Sequence, residues 1–300
     1  MQATQEVGLI RWLQSRQCFD ASYSVLRLDA KKVAIETLIN DITKKTSKTL
    51  QALNSYRMGD SALSHVIFQI YPADESRLLE ECHCETVSRW VFDSFLKACE
   101  DRQADATAIF YRNLSGKPWA ASFRGCLFER QVLKHLDEIN THSDLLIRRL
   151  TDSGQVTWTY HGPIQRFTFE EPAVIDKIKT AVETNTALHL VPSALNFPAV
   201  DSIVYYPNEV LTCIQITIRS KHPIAVSGLR RIQRWLKRGT RSADLRPDGT
   251  RRWRFVFIVP PEMASTYTLQ ELKDDTKLSE WAGKVEQYVL GLEVGVGNST

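Results

Sequence analysis

The sequence has no long hydrophobic run and no recognisable leader. Its longest apolar stretch, Phe255–Val259, has five residues, whereas a helix that crosses a bilayer needs about 20. The first residues lack a basic segment followed by an apolar one, so no secretory signal is predicted. Six cysteines in 300 residues are too sparse for a disulfide-stapled secreted domain. We therefore expect an intracellular protein, in the nucleus or cytoplasm, with free thiols and no membrane partner.

The composition also lacks the bias of a disordered or fibrous chain. Hydrophobic residues make up 43% and charged residues 24%, with 13 Gly and 11 Pro, and these values are typical of globular proteins. A length of 300 residues corresponds to one large domain or two modest ones. The phosphate-binding pattern Gly-x-x-x-x-Gly-Lys-Ser/Thr is absent, which argues against ATP binding by that route.

Hydrophobic periodicity and turn residues predict the order of helices and strands. The predicted helices are 5–60 with interruptions, 86–101, 104–114, 123–138, 173–183, 227–238 and 278–290. The predicted strands are 65–71, 145–150, 156–160, 164–169, 187–191, 201–206, 210–219 and 253–259. The break at Ser115–Pro118 divides a mostly helical N-terminal region, 1–114, from a domain at 115–295. This order is typical of an α/β or α+β fold with helices on a mixed sheet.

Positive charge is concentrated in one segment. The net charge is only +3, yet ten Lys and Arg stand against two Asp in the 25 residues from Arg230 to Arg254. A local surface of this kind suits a nucleic-acid backbone. The alternative is an ordinary solvated helix face and loop.

The predicted helix within this segment is amphipathic. Its apolar residues recur at helical spacing, with Ser227 as the expected N-cap and Gly239 as the expected stop. The basic residues on the opposite side are Arg230, Arg231, Arg234, Lys237 and Arg238. We expect these cations to contact phosphates without reading bases, and therefore little sequence specificity.

Two predicted strands bring polar side chains together. In 210–219 three isoleucines alternate with polar residues, which predicts a strand with one buried face and Gln215 and Thr217 on the other. Asp201 opens a shorter strand, and 206–209 forms the turn between the two. A hairpin of this length can place Asp201 near Gln215.

A third oxygen ligand is offered by the helix predicted at 123–138. Glu129 lies on its apolar stripe, so its carboxylate needs a metal, a cation or hydrogen-bond donors, unless it sits at the stripe edge and reaches solvent. Hard oxygen ligands are what Mg²⁺ prefers. Glu129, Asp201 and Gln215 are therefore the candidate ligands for Mg²⁺ or Mn²⁺.

This order of elements resembles the PD-(D/E)xK nuclease superfamily. Six short stretches within residues 114–292 carry a narrower resemblance: Leu114–Trp119, Gly125–Glu129, Asn196–Asp201, Gln215–Ile224, Phe255–Pro260 and Gln287–Leu292. Together they resemble the C-terminal nuclease domain of the eukaryotic Crinkler and retrotransposon-hot-spot effector proteins, especially fungal versions. The resemblance implies a restriction-endonuclease-like mixed sheet and metal-dependent hydrolysis of DNA, with Glu129, Asp201 and Gln215 around the metal.

The superfamily's second acid and its lysine are both replaced. Gln215 stands for the acid and keeps an oxygen ligand, whereas Thr217 stands for the lysine and cannot supply its charge. Lys221 can replace that lysine only if the strand turns near Ser220, since extended chain places it about 13 Å beyond Thr217. His222 is a candidate base or phosphate contact. The remaining cationic candidates are Arg130, Lys134 and Arg231.

Two further interpretations stay open, one for the nuclease-like domain and one for the N-terminal region. One is a catalytically decayed nuclease fold that acts as a DNA-binding or protein-interaction module. The other concerns 1–114, which looks like the remnant of an NTPase domain that members of the resembled family carry upstream. The alternative is a partner-binding unit in which Trp90 and Phe95 form an interaction surface, although core packing is the favoured interpretation of these two residues.

Overall fold

The structure of the protein is a computed structural model. It describes residues 32–37, 39–40, 68–72, 82–86, 91, 94, 97–98, 111, 121–139, 142–161, 166–169, 173–192, 197–236, 241–273 and 280–293. The chain divides into two compact units, one of Met1–Leu127 with Gly295–Thr300 and one of Phe128–Val294. The predicted boundary between 114 and 115 stays a prediction.

The described part of the first unit contains helical residues and one hairpin. Residues 32–37 and 39–40 are helical, with Ile35 and Ile39 buried. Strand β1 (Phe68–Pro72) pairs antiparallel with β2 (Cys82–Thr86). The sequence predicts β1 and misses β2. Trp90 and Phe95, the candidate interaction residues, lie outside the described residues.

From residue 121 onward the elements belong to a mixed α+β fold. The helices are α1 (Ala121–Glu138), α2 (Ala173–Thr184), α3 (Val226–Trp235) and α4 (Pro261–Ala264), with a 3-10 turn at Arg241–Leu245. The strands are β3 (His142–Arg149), β4 (Gln155–His161), β5 (Arg166–Phe169), β6 (Leu188–Pro192), β7 (Ser202–Tyr205), β8 (Thr212–Ile216), β9 (Ile224–Ala225), β10 (Trp253–Val259), β11 (Leu272–Lys273) and β12 (Val285–Gly291). None of the described helices has the length and hydropathy that a membrane crossing requires.

Eight of these strands form one curled mixed sheet, in the order β4-β3-β12-β10-β8-β7-β6-β5. Strands β6, β7 and β8 form an antiparallel meander, and β10 lies parallel to both β8 and β12. The hairpin of β3 and β4 curls back toward β6, where the Tyr160 hydroxyl lies 3.3 Å from His189 Nδ1. The predicted mixed sheet with flanking helices is thus confirmed.

The main core lies between the sheet and helices α2 and α3. Its buried members include Val174, Ile178, Ala181, Leu229, Ile232, Trp235, Trp253, Phe255 and Phe257. All five residues of β8 are buried, so the expectation of one buried face on this strand is wrong. The reason is its central place in the sheet, because strands covered on both faces are buried on both faces.

The predicted C-terminal helix at 278–290 is wrong, because its second half is strand β12. Tyr288 of β12 is paired with Val256 of β10, and the two strands run parallel. Four consecutive residues of β12 are buried. A buried parallel strand reads as a continuous apolar run, which periodicity cannot distinguish from a short buried helix.

Helix α3 keeps its predicted apolar face but not its predicted ends. Ala225 occupies the N-cap without a side-chain hydrogen bond, so the assignment of Ser227 as N-cap is wrong. The expected stop, Gly239, lies outside the described residues. Arg246 donates from Nε to the Leu236 carbonyl at 2.6 Å and from Nη2 to the Gln233 carbonyl at 3.1 Å. This arginine therefore caps the helix end, where a positive charge is favourable.

Candidate active site

Asp201 and Gln215 form a direct hydrogen bond at the open end of the β7–β8 hairpin. Gln215 Nε2 donates to Asp201 Oδ2 at 2.6 Å, and the Ile216 backbone N–H donates to the same oxygen at 2.6 Å. The Asp201 N–H in turn donates to the Ile214 carbonyl at 2.8 Å. The expected proximity of Asp201 and Gln215 is therefore confirmed, and three bonds hold the pair in register.

Glu129 is the third member of this group. Helix α1 keeps it half-buried while Val132 and Leu136 are buried in the protein body. Burial and the nearby negative charge of Glu129 raise the pKa of Asp201 well above its usual value, and the Ile216 N–H opposes the rise. The structure thus joins Asp201 to Gln215 by a hydrogen bond and places Glu129 near enough for its charge to act on Asp201, although the three stand far apart along the chain.

This group fits a divalent cation. A buried carboxyl group whose pKa is raised by a second carboxylate is a place where positive charge relieves repulsion. Gln215 gives its amide nitrogen to Asp201 and keeps an amide oxygen, which is a hard ligand. Within the described ranges no three His, Cys, Asp or Glu side chains gather at one point; the three candidate ligands here are two carboxyl groups and one amide.

The loop that carries Asp201 is pressed against helix α3. A Cβ atom at Gly228 would lie 1.9 Å from the Pro198 carbonyl oxygen and 2.9 Å from the Ala199 Cβ. Ala199 itself has a φ of 75°, a left-handed conformation that L residues rarely adopt. Only glycine permits this approach of helix and loop, and the approach fixes the backbone that leads into Asp201.

Thr217 and His222 form a second polar pair just beyond β8. Thr217 N donates to the Ile258 carbonyl at 3.0 Å, which keeps Thr217 beside strand β10. Its hydroxyl lies 3.2 Å from His222 Nδ1 and accepts the Arg219 N–H at 3.1 Å. Burial, with a contribution from Arg219, lowers the pKa of His222 below its usual value. The chain therefore turns after the strand, which is the condition set above for Lys221 to approach the site.

Among the described residues, no candidate cation forms an ion pair or hydrogen bond with Asp201. Lys221 is exposed and forms no hydrogen bond or ion pair with another described residue. Lys134 lies 3.8 Å from Glu138 on the surface of α1. Arg130 is half-buried and engaged. The role of Lys221 as a replacement lysine stays a prediction.

Two buried glutamines that the sequence analysis missed hold this turn in place. Gln270 Oε1 accepts the His222 N–H at 2.6 Å, and Gln270 Nε2 donates to the Ser220 carbonyl at 3.2 Å. Gln287 bonds both backbone groups of Gln270, accepting its N–H at 2.9 Å and donating to its carbonyl at 2.8 Å. A glutamine directly before the apolar residues Tyr288–Leu290 was the available signal, because a buried polar side chain requires partners.

We expect Gln287→Leu to lower the free energy of unfolding by about 2–6 kcal/mol. The substitution leaves the N–H and carbonyl of Gln270 unpaired inside the protein, at about 1–3 kcal/mol each. Chemical denaturation measures the loss, with Gln155→Leu on an exposed strand position as the matched control. Equal stability of the two variants would contradict a stabilising role for the Gln270–Gln287 hydrogen bonds.

The basic residues of α3 are engaged to different degrees. Arg230 Nη2 lies 3.4 Å from Glu280 Oε2, and the Arg231 guanidinium lies 4.9 Å from the centroid of the Phe197 ring. Arg234 is exposed. Lys237 and Arg238 lie outside the described residues, so their phosphate contacts stay predictions.

The other arginines of the basic segment also fall into two groups, those that bond other protein groups and those that are exposed. Arg246 caps α3, and Arg254 pairs with Glu209 at 3.3 Å. Arg241, Arg251 and Arg252 are exposed. Part of the local positive charge therefore stabilises the fold, and the exposed part is available at the surface.

Comparison of the chain with protein-family models, with curated proteins and with solved structures finds no match. The functional interpretation therefore depends on the geometry of the site and on the resemblance of its motifs.

Proposed function

We propose that the protein is a metal-dependent DNA endonuclease of the Crinkler and retrotransposon-hot-spot type. The observation that carries the proposal is the Asp201–Gln215 hydrogen bond beside the negative charge of Glu129. The order of elements supports it: after α1 come strands β3 to β5 and helix α2, and then the β6–β7–β8 meander, helix α3 and the parallel strand β10. In the resembled superfamily the first site residue lies on a helix, the next two lie on two later strands, and a further helix follows. Glu129, Asp201, Gln215 and helix α3 come in that order along this chain.

The chain's own residues would hold and orient the reacting groups. Glu129, Asp201 and Gln215 would hold Mg²⁺ or Mn²⁺, which lowers the pKa of bound water and neutralises charge on the attacked phosphate. The Ile216 N–H fixes one oxygen of Asp201 and leaves the other for a ligand. Gly228 keeps the Asp201 loop close to α3, so the site is held by regular elements on both sides.

A plasmid-nicking assay with Mg²⁺ or Mn²⁺ tests this function. We expect the wild type to nick DNA and Asp201→Ala to lose more than about 100-fold of the rate, because even changes behind a metal ligand cost 10–100-fold. Asp176→Ala, which changes an exposed aspartate on α2, is the matched control. Equal cleavage by the wild type and Asp201→Ala would rule out the assignment.

A second candidate function is a nucleic-acid-binding module without catalysis. The observation that favours it is the use of Thr217, whose hydroxyl holds His222 and the Arg219 N–H where a catalytic cation is expected. This module would bind DNA with steep salt dependence and would not cleave it. Metal-dependent nicking by the wild type excludes this candidate.

Both candidates predict the same contribution from an exposed arginine of α3. We expect Arg234→Ala to weaken DNA binding about uniformly across sequences and to reduce the slope of log K against log salt by about 1. Fluorescence anisotropy over a series of salt concentrations measures the slope. Lys179→Ala, an exposed lysine of α2, is the control, and an unchanged slope in Arg234→Ala would remove α3 from the nucleic-acid surface.

A further inference from the structure

The His222 ring is anchored at a point two residues beyond a proposed metal ligand. Thr217 follows Gln215 by two positions, and its backbone continues the hydrogen bonding of β8 to β10 through the Ile258 carbonyl. The Thr217 hydroxyl lies 3.2 Å from His222 Nδ1. One imidazole nitrogen is therefore tied to the strand end, and the ring direction is set by a residue adjacent to the carboxylate site.

The backbone of His222 is fixed independently of its ring. Gln270 accepts the His222 N–H at 2.6 Å and donates to the Ser220 carbonyl at 3.2 Å, so it spans the turn that carries the histidine. Gln270 is itself held by Gln287 through two hydrogen bonds. A turn fixed by this many hydrogen bonds is typical of one that carries a catalytic residue, because catalytic groups are misplaced when the residues that support them are loose.

We propose that His222 is the proton-accepting catalytic residue of this site, with Thr217 and Gln270 as its positioning residues. The proposal rests on the proposed nuclease function. It supplies a base where Thr217 cannot act as one, and it explains why the Thr217 hydroxyl faces a histidine. Histidine is suited to the task because its ordinary pKa lies near neutral pH.

The proposed step transfers one proton and exchanges one bond. The water oxygen bonds to phosphorus, and its proton moves to Nε2 of neutral His222. The bond from phosphorus to one sugar oxygen breaks, and that oxygen takes a proton from solvent. His222 then releases its proton to solvent. An acceptor at Nε2 requires the tautomer in which Nδ1–H donates to the Thr217 hydroxyl.

The surroundings of His222 keep it neutral at the pH of the reaction. Burial and the Arg219 charge lower the pKa of the imidazole. Thr217, at the strand end, contacts the ring, and Gln270, from the segment before β11, contacts the His222 backbone N–H; both side chains are uncharged. The base is therefore in its proton-accepting form near neutral pH, and it is lost by protonation as the pH falls.

Single-turnover nicking over a pH series tests this inference. We expect the wild-type rate to fall on the acid side with an apparent pKa below 6.5, and His222→Gln to lose about 10²–10⁴-fold together with that acid limb. Thr217→Val is expected to lose about 10–100-fold, whereas Thr217→Ser keeps the hydroxyl and restores most of the rate. His135→Gln, on a half-buried histidine of α1, is the matched control.

Each outcome of this experiment decides something. A His222→Gln variant that nicks at the wild-type rate with the wild-type pH profile overturns the role of His222 and leaves the nuclease function standing, provided that Asp201→Ala is inactive. Equal rates for Thr217→Val and Thr217→Ser overturn the positioning role of the hydroxyl. A wild type that does not nick with Mg²⁺ or Mn²⁺ at any pH overturns the proposed function and this inference together.

Discussion

Asp201→Asn is expected to stabilise the protein in the absence of divalent cations, although it removes a residue of the candidate site. Burial and the charge of Glu129 raise the pKa of Asp201, so ionising this carboxyl group costs free energy in the folded state. Asparagine carries no charge and still offers an oxygen to the Ile216 N–H. The expected sign is opposite to that of most substitutions of buried polar residues.

The stability difference depends on pH in a fixed direction. The unfolded pKa of Asp is about 3.9, and the folded value of Asp201 lies above it. Below about pH 4 the carboxyl group is protonated in both states and causes no penalty. As the pH rises through the folded pKa, the unfolded state releases its proton more readily, and the wild type loses stability. The advantage of Asp201→Asn therefore grows from pH 4 upward.

Thermal unfolding in EDTA at pH 4 to 8 measures this advantage, and added Mn²⁺ provides the second half of the test. A ligand present at 100 times its dissociation constant stabilises the folded state by about 2.7 kcal/mol. We expect Mn²⁺ to stabilise the wild type and to leave Asp201→Asn nearly unchanged, which reverses their order. Asp176→Asn is the control for a loss of surface charge. A lower melting temperature for Asp201→Asn in EDTA at pH 8 would contradict the carboxylate pairing.

Gly228→Ala is expected to cost about 3 kcal/mol or more. The added Cβ would lie 1.9 Å from the Pro198 carbonyl oxygen, and a backbone atom cannot move aside as a side chain can. Overpacking a tight contact usually costs 1–3 kcal/mol, and this contact lies at the upper end because Ala199 is already in a left-handed conformation. At 2–4 °C for each kcal/mol in a domain of this size, the melting temperature falls by at least about 6 °C.

The matched control for this variant is Gly249→Ala. A Cβ atom at Gly249 meets nothing within 4 Å, so the substitution tests only the change in backbone freedom, which is worth less than about 1 kcal/mol. Gly228→Ala is also expected to weaken Mn²⁺ binding, since the loop that it displaces leads directly into Asp201. Equal melting temperatures for the two variants would show that helix and loop separate easily at this point.

Local patterns predicted those parts of the site that depend on neighbours in sequence. The alternation in 210–219 and the turn at 206–209 were sufficient to place Asp201 beside Gln215, because hairpin geometry fixes which residues face each other. The apolar spacing of α3 predicted its buried side. Its capping by Arg246 was not predictable, since the interaction depends on how a later loop folds back.

Long-range pairing set the limit of prediction in the rest of the fold. Strand β12 was predicted as a helix because its burial on both faces depends on β10 and β3, which lie elsewhere in the chain. The same cause hid the Gln270–Gln287 pair, since a glutamine in the sequence does not indicate which backbone groups its side chain will bond.

Binding of Mn²⁺ to the intact chain tests the central claim most directly, because it needs no knowledge of the nucleic-acid substrate. Isothermal titration calorimetry of the wild type, Gln215→Leu and the double variant Glu129→Gln/Asp201→Asn measures whether the three side chains form one cation site. We predict one Mn²⁺ per wild-type chain, at least about tenfold weaker binding in Gln215→Leu and no detectable site in the double variant. Unchanged Mn²⁺ binding in the double variant would contradict the account.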